Sequence, residues 1–169
     1  MKKLLLMRHA KSDWNNPGLK DHDRPLNDRG KNDAPRMGKF LRQTDNIPEL
    51  ILASSARRVK ETVEGVSSEW EHQPEVVFLD ELYSGSYRGY FEIIQNHSKP
   101  VDSIMVIGHN PTMEDTAAAL SCGSNTSSVL IFPTAAIACY EVPATGWSRL
   151  KRSSGELKWF MIPKLLKKL

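Results

Sequence analysis

Several side chains that could perform chemistry directly follow short apolar runs of the sequence. Arg8 and His9 follow the first run, and the segment 54–58, which contains two arginines, follows the second. An acidic pair follows the third run, and His109 follows the fourth. An imidazole can attack phosphorus as a nucleophile, and arginines donate paired N–H groups that match phosphate oxygens. Together these residue types indicate a phosphate pocket that contains a nucleophile.

The apolar runs have the length of buried strands and alternate with longer segments of helical period, which is the pattern of an α/β fold. Strands are predicted over 3–7, 50–53, 76–79, 103–107, 135–142 and 157–162, the last two around a turn at 144–146. Helices are predicted over 28–43, 54–70, 87–96 and 110–120. We therefore expect one domain over 1–169, an α/β fold with a mainly parallel central sheet and helices on both faces.

Local signals set where the helices should start. Ser54 or Ser55 can cap the second helix, and Asn110 followed by Pro111 is typical of an N-cap and a first helical residue. Pro35 lies inside the first helical segment, so this helix should either start close to Pro35 or be kinked there.

Parallel strands bring their carboxyl ends to one edge of a sheet, where such folds bind ligands. The stretches that follow the four strands should therefore converge, and two helix starts should add backbone N–H groups. Each stretch alone also has a structural explanation. Arg57 and Arg58 could form an exposed helix face, and His109 could be a core histidine with satisfied hydrogen bonds. Their joint occurrence at strand ends favours a shared phosphate pocket.

The composition limits the classes of partner. The chain of 169 residues carries a net charge of +3, which permits an anionic partner without requiring one. The basic stretch 164–169 is expected to be an amphipathic last turn, with contact to an acidic surface as the alternative. No basic and aromatic platform indicates nucleic-acid binding, and no apolar stretch approaches the length of a membrane span.

The compartment is predicted from the first residues and from the cysteines. The apolar run 4–7 is shorter than the core of a secretory signal. Cys122 and Cys139 are too few for a disulfide scaffold or a metal site, and we expect free buried thiols in a reducing compartment. The sequence therefore predicts a cytoplasmic protein that contacts neither nucleic acid nor membrane.

Three motifs resemble those of the histidine phosphatase superfamily, also called phosphoglycerate-mutase-like. Residues 8–15 (RHAKSDWN) resemble its opening Arg-His-Gly-x-Ser-x-x-Asn signature, and 54–62 (SSARRVKET) resemble its Ser-Pro-x-x-Arg-Ala-x-x-Thr element. Residues 106–111 (VIGHNP) resemble its third element, and 24–30 (RPLNDRG) resemble the stretch that opens its first helix. The short spacing leaves no room for large lid insertions, and it resembles the SixA-type phosphohistidine phosphatases.

This resemblance implies a role for each matched residue. His9 would be the nucleophile that forms a transient phosphohistidine. Arg8, Arg58 and His109 would hold the phosphoryl oxygens, with Asn15 at the pocket edge and with no metal or cofactor. The implied activity is removal of phosphoryl groups from phosphohistidine in proteins. A small-molecule phosphomonoesterase and a non-catalytic phosphate-binding module are the alternatives.

The resemblance also suggests Glu81 as the general acid, because many members that cleave esters have their acid after this strand. Asp80 and His22 are alternative acids, and a carboxylate that only stabilises a helix N-terminus is the structural explanation. A metal hydrolase is a further alternative, although no metal-binding spacing supports it. Its ligands would be His9, His22, Asp23 and His109.

Two residues depart from the family pattern. Ala10 replaces the usual glycine, which disfavours a positive φ at this position. Ser55 replaces the usual proline, which is expected to cost only some rigidity.

Overall fold

The centre of the molecule is a six-stranded sheet in a computed structural model that describes residues 1–97, 99–123, 130–143 and 145–168. The strands are β1 (Lys2–Arg8), β2 (Leu50–Ser54), β3 (Glu75–Leu79), β4 (Ser103–Gly108), β5 (Ile137–Val142) and β6 (Glu156–Met161). The helices are α1 (Asp28–Gln43), α2 (Arg57–Ser67), α3 (Glu81–Ser84), α4 (Tyr87–His97), α5 (Thr112–Cys122) and α6 (Pro163–Leu166). Short 3₁₀ turns cover Asp21–Asp23 and Trp147–Arg149.

The strand order is β3-β2-β4-β1-β5-β6. The first four strands in this order pair in parallel, and β5 and β6 are antiparallel additions at one edge. The predicted α/β fold with a mainly parallel sheet is therefore confirmed.

Alternation along β1 shows how the sheet separates two cores. Leu4 and Leu6 pack on one face, in a cluster that includes side chains of α4 and α5. Leu5 and Met7 pack on the other face, with side chains of α1 and α2. All four leucine and methionine side chains are fully buried, as expected for a strand that is covered by helices on both faces.

Two helices that follow strands of the sheet, α2 and α5, begin at later residues than predicted. Neither Ser54 nor Ser55 caps α2, because Ala56 is its N-cap and Ser54 still belongs to β2. Asn110 is not an N-cap either, because α5 begins at Thr112 and the Asn110 side chain bonds elsewhere.

The first helix begins at Asp28, where the Asn27 side chain accepts a hydrogen bond from the N–H of Gly30. It runs through Pro35, which excludes the first of the two alternatives, a start close to Pro35; the second, a kink at Pro35, stays a prediction.

Two further predictions need correction. β5 starts later than predicted because Ala135 has a φ of 63° and its N–H bonds the carbonyl oxygens at the end of β1. Cys139 is buried as expected, but Cys122 is exposed at the end of α5. The predicted turn at 144–146 includes Ala144, which lies outside the described residues.

Candidate active site

A cavity of about 530 Å³ opens at the carboxyl ends of the central strands. Four of the predicted site residues line it: Arg8, His9, Arg58 and His109. The other lining residues are Lys11, Ser12, Trp14, Asp21, Arg24, Tyr83, Asn110 and Thr134. The convergence predicted from four strand ends therefore occurs for three of them, namely those of β1, β2 and β4.

Parallel register explains why the two histidines meet. Arg8, the last residue of β1, pairs with Gly108, the last residue of β4. The residue that follows each strand is a histidine, so the two histidines lie side by side at the edge of the sheet. The N–H of His9 bonds the carbonyl oxygen of Gly108 at 3.0 Å, and the two imidazole rings lie 5.1 Å apart. Arg58 reaches them from the first turn of α2, which follows the neighbouring strand β2.

His9 has the protonation state of a nucleophile. Its Nδ1 lies 2.7 Å from the carbonyl oxygen of Ala10, which can only accept, so Nδ1 carries the proton. The Nε2 lone pair therefore faces the cavity, where the Nε of Arg58 donates to it at 3.4 Å. Burial, with smaller contributions from neighbouring cations, lowers the pKa of His9 from 6.5 to about 3. The imidazole is thus neutral at physiological pH.

Ala10, which replaces the family's glycine, sits in this turn without backbone strain. It is not among the described residues with a positive φ, and its N–H bonds the hydroxyl of Thr62 at 3.0 Å. The substitution therefore leaves the Ala10 carbonyl free to orient His9.

His109 is also neutral, and its hydrogen bonds fix its tautomer. An arginine can only donate, so the Nη2 of Arg58 donates to Nδ1 of His109 at 3.2 Å. Nε2 then carries the proton and donates to Oγ of Ser54 at 2.8 Å. Burial and the charge of Arg58 lower the pKa of His109 from 6.5 to about 4.

Asp21 anchors the guanidinium of Arg58 from the side of the first loop. Nη1 of Arg58 donates to the Asp21 carbonyl oxygen at 2.7 Å, and Nη2 donates to its carboxylate at 3.1 Å. Arg24 and Tyr83 donate to the same carboxylate at 2.8 Å each. Burial alone would raise the pKa of Asp21, but the hydrogen bonds from Tyr83 and Arg24 and the charge of Arg58 lower it below its usual range.

Sequence reasoning missed Asp21 and Tyr83, because neither lies directly after a strand of the central sheet. The first loop folds back through a bridge between Ser12 and Leu26, and its 3₁₀ turn carries Asp21, which lines the cavity and bonds Arg58. Arg24 lay within a recognised motif, and its guanidinium stacks 3.5 Å from the ring of Trp14. A long polar loop next to a nucleophile was the available signal.

Two predicted site residues, Glu81 and Asn15, and one alternative acid, Asp80, lie apart from the cavity. Glu81 is exposed at the start of α3, and Asp80 is exposed beside it. Asn15 is exposed in the first loop, where its N–H bonds the Asp13 carboxylate at 2.7 Å. None of the three is among the described residues that line the cavity, so their proposed roles remain predictions that this geometry does not support.

His22, the other alternative acid, bonds Oγ of Ser55 through Nε2 at 3.0 Å and packs edge-on against Tyr83. Its Nδ1 lies 3.6 Å from the Asp23 carboxylate. Neither His22 nor Asp23 lines the cavity. Within the described ranges, no group of three or more His, Cys, Asp or Glu side chains has the arrangement of a metal site.

Sequence comparison identifies a family and several relatives. The model of the histidine phosphatase superfamily (branch 1) matches residues 4–120. An uncharacterized chloroplastic protein of Arabidopsis thaliana is 35% identical over 132 residues, which cover 73% of this chain and 61% of the plant protein. The chain thus spans about three fifths of that relative. An uncharacterized protein of Mycobacterium tuberculosis is 30% identical over 164 residues, which cover 94% of this chain and all of the relative.

Comparison with solved structures identifies the same type of fold. A SixA protein from Agrobacterium tumefaciens superimposes with a TM-score of 0.78 and 28% identity, covering 96% of this chain and 98% of the other. The protein histidine phosphatase SixA complexed with tungstate gives a TM-score of 0.82 and 25% identity, covering 97% and 99%. In the described part of the chain, no helix has the length and hydropathy needed to cross a membrane.

Proposed function

Since the chain belongs to the histidine phosphatase superfamily and to its short SixA-type branch, we propose that it is a metal-independent phosphohistidine phosphatase that works through a covalent phosphohistidine on His9. The observation that carries the proposal is the pairing of a neutral, oriented imidazole with a cavity whose described lining residues include a single carboxyl group, Asp21, which is ionised.

In the first step, Nε2 of His9 attacks phosphorus in line with the leaving group. The Ala10 carbonyl holds the proton on Nδ1, so the lone pair needs no general base. In the free protein, the Nε–H of Arg58 donates to this lone pair. Before attack, the same N–H must donate to a phosphoryl oxygen instead, which frees the lone pair. Arg8 supplies a second guanidinium at the cavity wall, and positively charged donors of this kind stabilise the transferring oxygens.

His109 changes its role when a phosphoryl dianion enters. In the free protein its Nδ1 accepts from Arg58, which leaves no proton for a phosphoryl oxygen. The negative charge of the substrate raises the pKa of His109, because an opposite charge favours the protonated form. The imidazolium then donates from Nδ1 to a phosphoryl oxygen while Nε2 keeps its bond to Ser54. Substrate binding is therefore coupled to proton uptake.

The leaving group distinguishes P–N from P–O substrates. Asp21 is the only carboxyl group among the described residues that line the cavity, and its lowered pKa keeps it ionised. An alkoxide would leave without a proton donor of this type, which slows ester cleavage. A phosphohistidine that is protonated on its second ring nitrogen leaves as neutral imidazole and takes no proton from the protein. This difference favours a P–N substrate.

The second step is attack of water on the phosphohistidine formed at His9, which releases inorganic phosphate and restores the free imidazole. The same arginines hold the phosphoryl oxygens in both steps. The substrate that we propose is a phosphorylated protein, because the cavity lies open at the surface beside Trp14, whose side chain is 68% exposed. We place this activity in the cytoplasm, where Cys122 and Cys139 stay as free thiols.

The test compares a phosphohistidine peptide with glycerol 2-phosphate, an ester whose alkoxide leaving group needs a proton donor, in the presence of a chelator. Wild type and Glu81→Gln are expected to cleave the P–N substrate at equal rates, and His9→Ala is expected to be inactive. Ester cleavage at a comparable rate would instead indicate a small-molecule phosphomonoesterase with a working acid. Loss of activity in chelator would refute metal independence, and binding of phosphate without turnover of either substrate would indicate a phosphate-binding module.

A further inference from the structure

Glu114, on the first turn of α5, does not line the cavity, but one of its oxygens holds Asn110, which does, and the backbone N–H of Phe132. Oε1 accepts a hydrogen bond from the backbone N–H of Phe132 at 2.9 Å. The same oxygen accepts from Nδ2 of Asn110 at 2.9 Å. Both partners are donors, so this position requires an acceptor with the reach of a glutamate side chain.

The carbonyl oxygen of Phe132 connects this pair to the catalytic arginine. It accepts from Nη1 of Arg8 at 2.8 Å and from Nδ2 of Asn110 at 3.1 Å. The Phe132 ring is buried and packs edge-on against Phe160, with centroids 5.1 Å apart. Residue 132 is therefore fixed through its ring, its N–H and its carbonyl oxygen, and Glu114 provides the acceptor for the N–H.

Arg8 depends on this carbonyl for its orientation. Its Nε is buried without a hydrogen-bond partner. Among the described residues, the guanidinium makes one hydrogen bond, which runs from Nη1 to the carbonyl oxygen of Phe132. Burial lowers the pKa of the Arg8 guanidinium, while the charge of Glu114 raises it. A guanidinium held by one hydrogen bond changes its orientation when the acceptor moves. Misalignment of a group that binds the phosphoryl oxygens lowers the reaction rate.

We propose that Glu114 is a positioning residue for Arg8. Through the N–H of Phe132 and the amide of Asn110, it fixes the carbonyl oxygen that aims the guanidinium at the phosphoryl oxygens. This role rests on the proposed function only in that the anion bound by Arg8 is the substrate's phosphoryl group.

The test measures the dissociation constant for tungstate, together with kcat and KM for a phosphohistidine peptide. Glu114→Ala is expected to weaken tungstate binding 10- to 100-fold and to lower kcat/KM by a similar factor. Glu114→Gln keeps an oxygen at the same reach, so its losses should stay below threefold. Asp115→Asn, at the adjacent position of the same helical turn, is the matched control for loss of a negative charge and should match wild type.

A double-mutant cycle separates this role from a general effect on folding. In an Arg8→Ala background, Glu114→Ala should change tungstate affinity by less than threefold, because the group that it positions is gone. An equal loss in both backgrounds would overturn the proposal, and so would a loss in Glu114→Gln as large as that in Glu114→Ala.

If Glu114→Ala does not fold, Glu114→Asp tests the positioning role in its place. It keeps the charge and shortens the reach, so it should bind tungstate at least tenfold more weakly than Glu114→Gln; the reverse order would overturn the proposal. Tungstate binding needs no turnover. A wild-type protein that binds tungstate with this mutational pattern but cleaves no peptide would refute the proposed activity and leave the positioning role intact.

Discussion

Lowering the pH from 6.5 to 5 is expected to destabilise the protein, because two buried histidines cannot take up the protons that they bind in the unfolded chain. His9 and His109 are each only 8% exposed. Burial lowers their pKa values from 6.5 to about 3 and about 4. The unfolded chain therefore binds more protons throughout this interval, and stability rises with pH. The lowered pKa of Asp21 does not act in this window, since that carboxyl is ionised in both states.

The magnitude follows from proton linkage. A histidine that titrates with a pKa of about 6.5 when unfolded and stays neutral when folded lowers the free energy of unfolding by about 1 to 2 kcal/mol between pH 6.5 and pH 5. Two such groups give about 3 kcal/mol, which is a large part of the stability of an ordinary domain. The loss should be steepest at the acid end of the interval, where it approaches about 3 kcal/mol per pH unit.

Urea unfolding at several pH values between 5 and 7 measures this dependence. His9→Asn and His109→Asn should each remove about half of it, because each variant leaves one buried histidine. His72→Asn removes an exposed histidine and is the matched control, with the wild-type dependence expected. The assignment of two neutral buried imidazoles would be refuted if the free energy of unfolding of wild type changed by less than about 1 kcal/mol between pH 6.5 and pH 5. It would also be refuted if His9→Asn and His109→Asn both kept the full pH dependence.

Three further outcomes follow from particular contacts. Asp21→Asn removes a negative charge from a cavity that binds anions. Inorganic phosphate should therefore bind about fivefold more tightly in calorimetry, because about 1 kcal/mol of repulsion is relieved. Weaker binding would show that the positioning of Arg58 by the carboxylate outweighs this repulsion. Gly108→Ala places a Cβ 2.3 Å from the hydroxyl oxygen of Tyr90, so urea unfolding should show a loss of about 1–3 kcal/mol, and an unchanged stability would contradict this packing. Cys122 is exposed and Cys139 is buried, with a pKa raised to about 11 by burial; a thiol reagent should label one cysteine in the folded protein and the second only in denaturant, and rapid labelling of both would contradict the burial.

The central part of the site could be predicted because it depends on strand order and register. A residue directly after a buried parallel strand must lie at the carboxyl edge of the sheet, and this rule places His9 and His109. Arg58 follows in the same way, because α2 starts after a neighbouring strand. These positions are set by hydrophobic periodicity, which is visible in a single sequence.

The remainder depends on contacts that a local pattern does not contain. Glu81 follows a strand as the others do, but β3 is an edge strand, and the side chain that reaches the cavity from the short helix after it is Tyr83, while Glu81 is exposed. Asp21 and Tyr83 reach the cavity from a loop and a short helix whose paths follow from tertiary packing. Asn110 has the composition of a helix cap, yet its amide bonds Glu114 and the carbonyl of Phe132 instead.

Trapping the phosphorylated intermediate is the experiment that decides whether His9 is the nucleophile. Wild type is mixed with a ³²P-labelled phosphohistidine peptide, quenched in alkali within milliseconds, and digested to locate the label. We expect an acid-labile, alkali-stable phosphoryl group on His9 that forms and decays at rates compatible with turnover, and none in His9→Ala. Turnover with no label on His9, or label on another residue that persists in His9→Ala, would contradict this expectation.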